Sequence, residues 1–263
     1  MPFALITGAS RGLGKAFAES LAKRKHDLLL VARNEKLLAE LSNELHKKYA
    51  VKTFYKTADL SLPQSVDEIV AWCKNEDFDI NILINNAGYG LHGAFEDISL
   101  AEQLNMMNLN MDGYVRMTYM FLPLLKQHKG KSYLMDIAST AAYQAVPFLT
   151  TYSATKAFVV SFTRGLRQEL KGSNISVTCL SPGGVDTNFM ERAGMNKVGK
   201  IVKQADKFNM TAEDVAEFGV NAMFAGKAEV IPGFANKIGV YSNRLLPKNL
   251  VEGVAKGIYN PGK

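Results

Sequence analysis

The opening residues constrain the fold more than any other stretch. Residues 2–7 form a short, largely apolar run that reads as a buried strand, and it passes straight into Gly8-x-x-x-Gly12-x-Gly14 and then the helical spacing Ala16, Phe17, Ser20, Leu21. A strand that meets a helix through glycines is a phosphate-binding geometry. Without β-carbons the turn closes and the backbone can approach a pyrophosphate, while the first N–H groups and dipole of the helix favour negative charge. The spacing differs from the G-x-G-x-x-G fingerprint, and a glycine triplet alone is as often a tight turn as a site.

The alternation continues. Further strands are expected at residues 26–32, 51–57, 80–84, 133–138, 174–180 and 229–231. Between them, Asn34 can cap a helix, and Ser61-Leu62-Pro63-Gln64 and Ser99-Leu100-Ala101-Glu102 have the form of capping boxes. The second box opens a long helix reaching about His128, and Thr211-Ala212-Glu213-Asp214 caps another. This predicts one α/β domain over residues 1–263: a Rossmann-like, doubly wound parallel sheet with helices on both faces, in three layers. A hydrophobic content of 47% is ample for its core.

Composition narrows the function classes. The chain has no apolar run long enough to span a bilayer, and the first strand leaves no room for a leader, so a cytoplasmic location is expected. Cys73 and Cys179 read as packing residues, and His26, His46, His92 and His128 lack metal-ligand spacing, so no metal is expected. Residues 1–60 hold eleven Lys/Arg against six Asp/Glu, most of the net +6. With no interleaved aromatics, this points to a solvated face and an anionic cofactor rather than nucleic acid.

Proton chemistry is concentrated between Ser139 and Lys156. On a helix, Tyr152 and Lys156 lie four residues apart on one face, where a cation within ~4 to 6 Å lowers a phenol's pKa by ~1 to 3 units. Ser139 follows the strand at 133–138, at a carboxyl end where open α/β sheets hold ligands. Taken alone, Tyr-x-x-x-Lys also describes an ordinary exposed helix pair. The end of the second strand, Ala32-Arg33-Asn34, carries no carboxylate to repel a 2′-phosphate, and Arg33 and Arg11 can fork onto one. NADP(H) is therefore preferred, with NAD(H) possible; the other reading has Arg33 only capping the surface.

Together these residues resemble the short-chain dehydrogenase/reductase family, in its compact branch. The match runs in order through Thr7-Gly8-Ala9-Ser10-Arg11-Gly12-Leu13-Gly14, Asp59-Leu60, Asn85-Asn86-Ala87-Gly88, Asn110, Ser139, Tyr152, Lys156 and Pro182-Gly183-Gly184-Val185-Asp186-Thr187. The resemblance implies reversible hydride transfer between NADP(H) and a carbonyl or secondary alcohol. Tyr152 would be the acid/base, Ser139 a second donor to the substrate oxygen, and Lys156 the group that tunes the phenol and holds the nicotinamide ribose. Asn110 would bend its helix so that the backbone holds a water, through which protons pass from Lys156 to solvent. The cofactor would lie along Gly8, Ser10, Arg11, Gly12, Leu13, Gly14, Arg33, Asp59, Leu60, Asn86, Ala87, Gly88, Tyr152, Lys156, Pro182, Gly183, Val185 and Thr187. It also implies a homodimer or homotetramer, associating through the long helix and the next. Two rivals stand beside it: a catalytically silent dinucleotide-binding regulatory module, and a nucleotide-sugar epimerase or dehydratase, for which the chain after Gly183 leaves little room.

Residues 188–210 carry Phe189, Met190, Met195, Ile201, Val202, Phe208 and Met210, and are expected to cover a cleft as a substrate lid or to lie against another subunit. Tyr143 and Phe148 are expected on the opposite wall. Lys197, Lys200, Lys203 and Lys207 either solvate the lid or meet an anionic substrate portion. The substrate reading is an apolar small molecule with a bulky or long aliphatic part. Finally, Leu245, Leu246, Leu250, Val251, Val254 and Ile258 form a helical pattern among lysines, expected to dock on its own or a neighbouring subunit in preference to a membrane surface.

Overall fold

The computed structural model describes residues 1–186, 189–195, 209–243 and 245–261, with the side chain of Asp186 left aside. Strands β1 (Phe3–Thr7), β2 (Asp27–Ala32), β3 (Thr53–Thr57), β4 (Ile80–Asn85), β5 (Ser132–Ile137), β6 (Ile175–Leu180) and β9 (Glu229–Val230) form one sheet. Its order is β3-β2-β1-β4-β5-β6-β9, every pair parallel. A two-stranded ribbon pairs β7 (Val185–Asp186) with β8 (Met210–Thr211).

Strand periodicity divides the core in two. Leu5, Leu29, Val31, Leu83 and Val177 point to one face, where they meet Val66, Ile69 and Cys73 of α3 (Pro63–Asn75) and Met117, Phe121 and Leu125 of α5 (Gly113–Gln127). Ala4, Ile6, Leu28, Leu30, Ile82 and Ile84 point to the other, against α1 (Gly12–Lys23), α2 (Glu35–Tyr49) and α8 (Ala212–Phe224). Alternate side chains on opposite sheet faces give the three layers. Strand order reverses between β1 and β4, so their carboxyl ends open a crevice at the switch point.

The caps at Asn34, Ser99 and Thr211 form as expected, each side chain accepting a backbone N–H three residues on. The box at Ser61 does not. Leu62 is the N-cap of α3, with Pro63 at the first turn, because the Ser61 N–H and hydroxyl both turn back to Asp59 Oδ1, at 3.0 and 2.8 Å. The long helix from Ser99 is also not uniform: α4 (Leu100–Met107) runs into a π-turn, Asn108–Asp112, before α5. A wider turn marks an inserted local demand on the backbone, and Asn110 sits in its centre.

After β5 come a short 3₁₀ turn (Thr140–Tyr143) and α6 (Thr150–Glu169); after β7, the helical turn α7 (Phe189–Arg192). After β9, α9 (Phe234–Ser242) and α10 (Lys248–Tyr259) finish the chain. Cys73 and Cys179 are buried free thiols. Among the described residues no three His, Cys, Asp or Glu are grouped to hold a metal, and no helix is long and apolar enough to cross a membrane.

Candidate active site

The carboxyl ends of β1, β2, β4, β5 and β6 open into one large cavity of about 1560 Å³, closed on the far side by α7, α9 and α10. A drug-sized ligand pocket is ~300 to 1,000 Å³. This one has room for two ligands side by side.

Its first end is built from backbone. Gly8 and Gly12 have positive φ, 66° and 53°, as the turn after β1 requires. A β-carbon on Gly8 would stand 2.9 Å from the Ala87 Cα. Thr7 locks this corner: its hydroxyl accepts from the N–H groups of Asn86 and Ala87, at 2.9 and 3.0 Å, and the Asn86 amide donates to the Thr7 carbonyl at 2.9 Å. Ser10, Arg11 and Leu13 extend the wall of this cradle, with Gly88 beyond. Gly14 does not line it. A β-carbon there would lie 2.1 Å from the Gly8 carbonyl oxygen, so Gly14 lets α1 pack beneath the turn rather than touching a ligand.

Arg33, Asp59 and Leu60 line the rim of the same end. Arg33 stands 3.6 Å from Asp59 Oδ2. The Asp59 carboxyl stays below its usual range: partial burial opposes ionisation, but the two Ser61 bonds and Arg33 outweigh it. Sequence reasoning missed a third guanidinium, Arg192 of α7, which lies 4.4 Å over the Tyr89 ring and lines the cavity within electrostatic reach of Arg33. No local spacing reveals it, since it arrives from the far side of the cleft.

Ser139, Tyr152 and Lys156 come together at the cavity floor, as the sequence implies. Ser139 caps the 3₁₀ turn, its hydroxyl accepting the Ala141 N–H at 3.1 Å, and it lines the cavity together with the Tyr152 phenol. Tyr152 and Lys156 are buried residues of α6. Lys156 Nζ donates to the Ile137 carbonyl at 2.8 Å and lies 6.0 Å from the Tyr152 ring centroid.

The electrostatics correct one expectation. Burial pushes the Tyr152 phenol above its ordinary value, with the nearby Ser139 hydroxyl pulling the other way, and Lys156 does not bring it down. The same burial lowers Lys156 to about 8, against the opposing pull of Cys179 and Asp136. Helix spacing put the two side by side but carried no information on how dry the site is. Asp136 was also missed. It is fully buried in β5, its carboxylate accepting from the Asn85 amide at 2.9 Å and the Thr163 hydroxyl at 2.8 Å, and burial raises it to about 6. An aspartate inside an apolar strand run was the available signal.

Asn110 is wholly buried and does not line the cavity. Its amide donates to the Tyr89 carbonyl at 2.9 Å and the Thr155 hydroxyl at 3.1 Å, and its oxygen accepts the Tyr89 N–H at 3.2 Å. The π-turn thus clips the loop after β4 to the helix that carries Tyr152 and Lys156.

Pro182, Gly183 and Val185 line the cavity as expected, with Phe189, Met190 and Met195. The Phe189 ring is 5.4 Å from that of Tyr152. Thr187, Lys197, Lys200, Lys203, Lys207, Ile201, Val202 and Phe208 lie outside the described residues. Tyr143 and Phe148 do not form the opposite wall. The Tyr143 hydroxyl is taken by Glu229 and Ser181, both at 2.9 Å, and Phe148 sits against His92; Gln144, Val146 and Leu149 face the cavity instead. The C-terminal helix docks on its own subunit: Val251, Ala255, Ile258 and Tyr259 line the cleft, and His92 Nε2 contacts the Tyr259 carbonyl at 2.6 Å.

Residues 2–198 match the family model described as short chain dehydrogenase. Sulfoacetaldehyde reductase 2 of Chromohalobacter salexigens is 33% identical over 215 residues, 81% of this chain and 84% of that protein. Very-long-chain 3-oxoacyl-CoA reductase-B of Danio rerio is 34% identical over 191 residues, 71% of this chain but 60% of that protein. Among solved structures, a short-chain dehydrogenase from Sphingobium yanoikuyae in complex with NADPH superposes with a TM-score of 0.81 at 27% identity, covering 100% of this chain and 96% of that one.

Proposed function

Because the chain belongs to the short-chain dehydrogenase family, we propose that it is an NADP(H)-dependent oxidoreductase acting on the carbonyl or secondary alcohol of an apolar small molecule. The observation that carries this is the arrangement of one cavity: a glycine cradle at one end, and a buried phenol with a serine and a lysine at the floor.

A dinucleotide fits the chain's own residues. The cradle of Gly8, Ser10, Arg11, Gly12 and Leu13 would hold the pyrophosphate, Asp59 and Leu60 the adenine, and Asn86, Ala87 and Gly88 a ribose. Pro182, Gly183 and Val185 flank the nicotinamide side. Gly8 supports the fit, since any β-carbon there would fill the turn. The preference for the 2′-phosphate rests on Arg11 and Arg33, with no acid ending β2. When bound, the nicotinamide supplies or accepts a hydride.

The protein's share is proton handling and position. Burial keeps Tyr152 protonated at neutral pH, so the phenol is loaded to donate to a carbonyl oxygen. Ser139 donates to the same oxygen and, with Tyr152, fixes where it sits. Lys156, tied to the Ile137 carbonyl at the same floor, would hold its ammonium against the nicotinamide ribose.

The substrate class follows from the wall. Val146, Leu149, Phe189, Met190, Val251 and Ile258 face the cavity beyond Tyr152, which favours a bulky or long aliphatic portion. The two relatives named above carry names of opposite character, a sulfonated aldehyde and a long acyl chain; the apolar wall supports the second. Assembly as a homodimer or homotetramer belongs to the same proposal, supported by the exposed Leu104 and Tyr119 on α4 and α5.

The test is a panel of ketones, aldehydes and secondary alcohols with NADPH and NADH, followed at the nicotinamide absorbance. Tyr152→Phe is expected to lose at least about a hundredfold in turnover while binding NADPH like wild type. NADPH binding with no turnover on any member would favour the silent module; activity retained in Tyr152→Phe would place the acid elsewhere.

A further inference from the structure

The cavity holds more positive charge than its own acids neutralise. Among the described lining residues, Arg11, Arg33, Lys156 and Arg192 stand against Asp59 and Glu191. Asp59 is already engaged, by Arg33 at 3.6 Å and by the Ser61 N–H and hydroxyl. Arg192 makes no ion pair among the described residues; its contact is the Tyr89 ring, 4.4 Å away.

That perch is built. Tyr89 is buried, its hydroxyl accepts the Asn105 amide at 3.0 Å, and Asn110 holds both its N–H and its carbonyl. The turn α7 is fixed beside it at both ends. Phe189 lies against Tyr152, and the His92 N–H donates to the Ala193 carbonyl at 3.0 Å. A guanidinium lying on an aromatic face keeps its N–H edge free for a ligand. Partial burial, and then Arg33, hold this one below the ordinary arginine value, with Tyr89 and Asp59 opposing. One carboxylate between two guanidiniums leaves a surplus charge, which an anion lodged between them cancels.

Position says which anion. Arg33 follows β2 on the rim shared with Asp59 and Leu60, away from the backbone cradle of Gly8 and Gly12. A group held between Arg33 and Arg192 therefore lies on the adenosine side of a dinucleotide. The pyrophosphate has the cradle's N–H groups for its charge. A phosphate monoester carries about −1.5 to −2 at neutral pH, enough for two guanidinium forks at once. We propose that Arg192 is a specificity residue for the 2′-phosphate of NADP(H), gripping it from α7 while Arg33 holds it from the sheet. The inference rests on the oxidoreductase reading above and adds to it a cation from the opposite wall.

The experiment is calorimetric titration of the full chain with 2′,5′-ADP and 5′-AMP, which differ by the 2′-phosphate alone, and with NADPH and NADH. Wild type, Arg192→Met and Arg192→Lys are compared. Expected in Arg192→Met is a loss of at least about tenfold for 2′,5′-ADP and NADPH, with 5′-AMP and NADH within about twofold of wild type. Arg192→Lys, which keeps the charge but not the fork, should recover part of the loss. Arg192 is exposed, so unchanged melting temperatures are expected; if Arg192→Met is destabilised, Arg192→Lys decides, since a loss confined to the 2′-phosphate ligands is still required of it. A variant that keeps the wild-type preference overturns the proposal. So does one that weakens NADH as much as NADPH, which puts Arg192 on the pyrophosphate. Wild type that binds neither dinucleotide is a separate failure, that of the oxidoreductase reading, and takes the proposal with it.

Discussion

Asn110 separates two roles that the sequence could not. The resemblance places it in the proton path, whereas the structure makes it a clip with three hydrogen bonds, all inside the protein. Asn110→Ala removes all three. At about 1 kcal/mol net for each, with a further penalty for leaving the N–H and C=O of buried Tyr89 without partners, the loss is about 3 to 5 kcal/mol. That is a large part of a typical stability of ~5 to 15 kcal/mol, yet leaves a folded majority. Urea unfolding followed by circular dichroism should show the midpoint fall with the m-value unchanged. Turnover should fall too, because Gly88 lies between this amide and Lys156: a β-carbon on Gly88 would sit 3.0 Å from Asn110 Oδ1 and 3.5 Å from Lys156 Nζ. A variant as stable as wild type, within about 1 kcal/mol, but inactive would refute the clip and return Asn110 to the chemistry.

Three other outcomes are expected. Wild type should bind NADPH at least about tenfold more tightly than NADH, and Arg33→Asp should narrow or invert that ratio in fluorescence titrations, since it puts a second carboxylate beside Asp59; equal wild-type affinities would remove the 2′-phosphate argument. Gly14→Ala forces a β-carbon onto the Gly8 carbonyl, so a loss of about 3 kcal/mol in stability together with cofactor affinity is expected, and a neutral result would show that the turn yields. Asp136, raised to about 6, favours the folded state below the unfolded pKa and loses that contribution as pH climbs through the folded value; Asp136→Asn should therefore flatten the melting-temperature profile between about pH 4 and 6.5, and an unchanged slope would exclude Asp136 as its source.

What could be read from sequence depended on how local the cause is. Strand positions followed from apolar runs and came within two residues of their observed ends, and the caps at Asn34, Ser99 and Thr211 needed only neighbours three positions away. Ser61 failed because a carboxylate two residues earlier competed for its hydroxyl, a contest that the box pattern does not score. Ser139, Tyr152 and Lys156 come together on the cavity floor, but the direction of the Tyr152 shift was not legible, because it depends on burial by residues distant in the chain, Phe189 among them. Gly14 was assigned to the ligand when its neighbour is the underside of the turn. Arg192 reaches the cofactor end across the cleft and leaves no trace in the order of residues.

The two ends of the cleft come from opposite ends of the chain. The cradle is complete by Gly88, while much of the facing cavity wall is carried by α9 and α10, which follow the last strand of the sheet and pair with none of the described strands. Alterations in that tail therefore reshape what the cavity accepts without disturbing the sheet or the phosphate turn. Lineages of such a protein can diversify their substrates by exchanging the closing helices while the dinucleotide half stays fixed, a division of labour between scaffold and grafted site. The bond from His92 to the Tyr259 carbonyl is one constraint on such exchange, since it ties the end of α10 to the loop after β4.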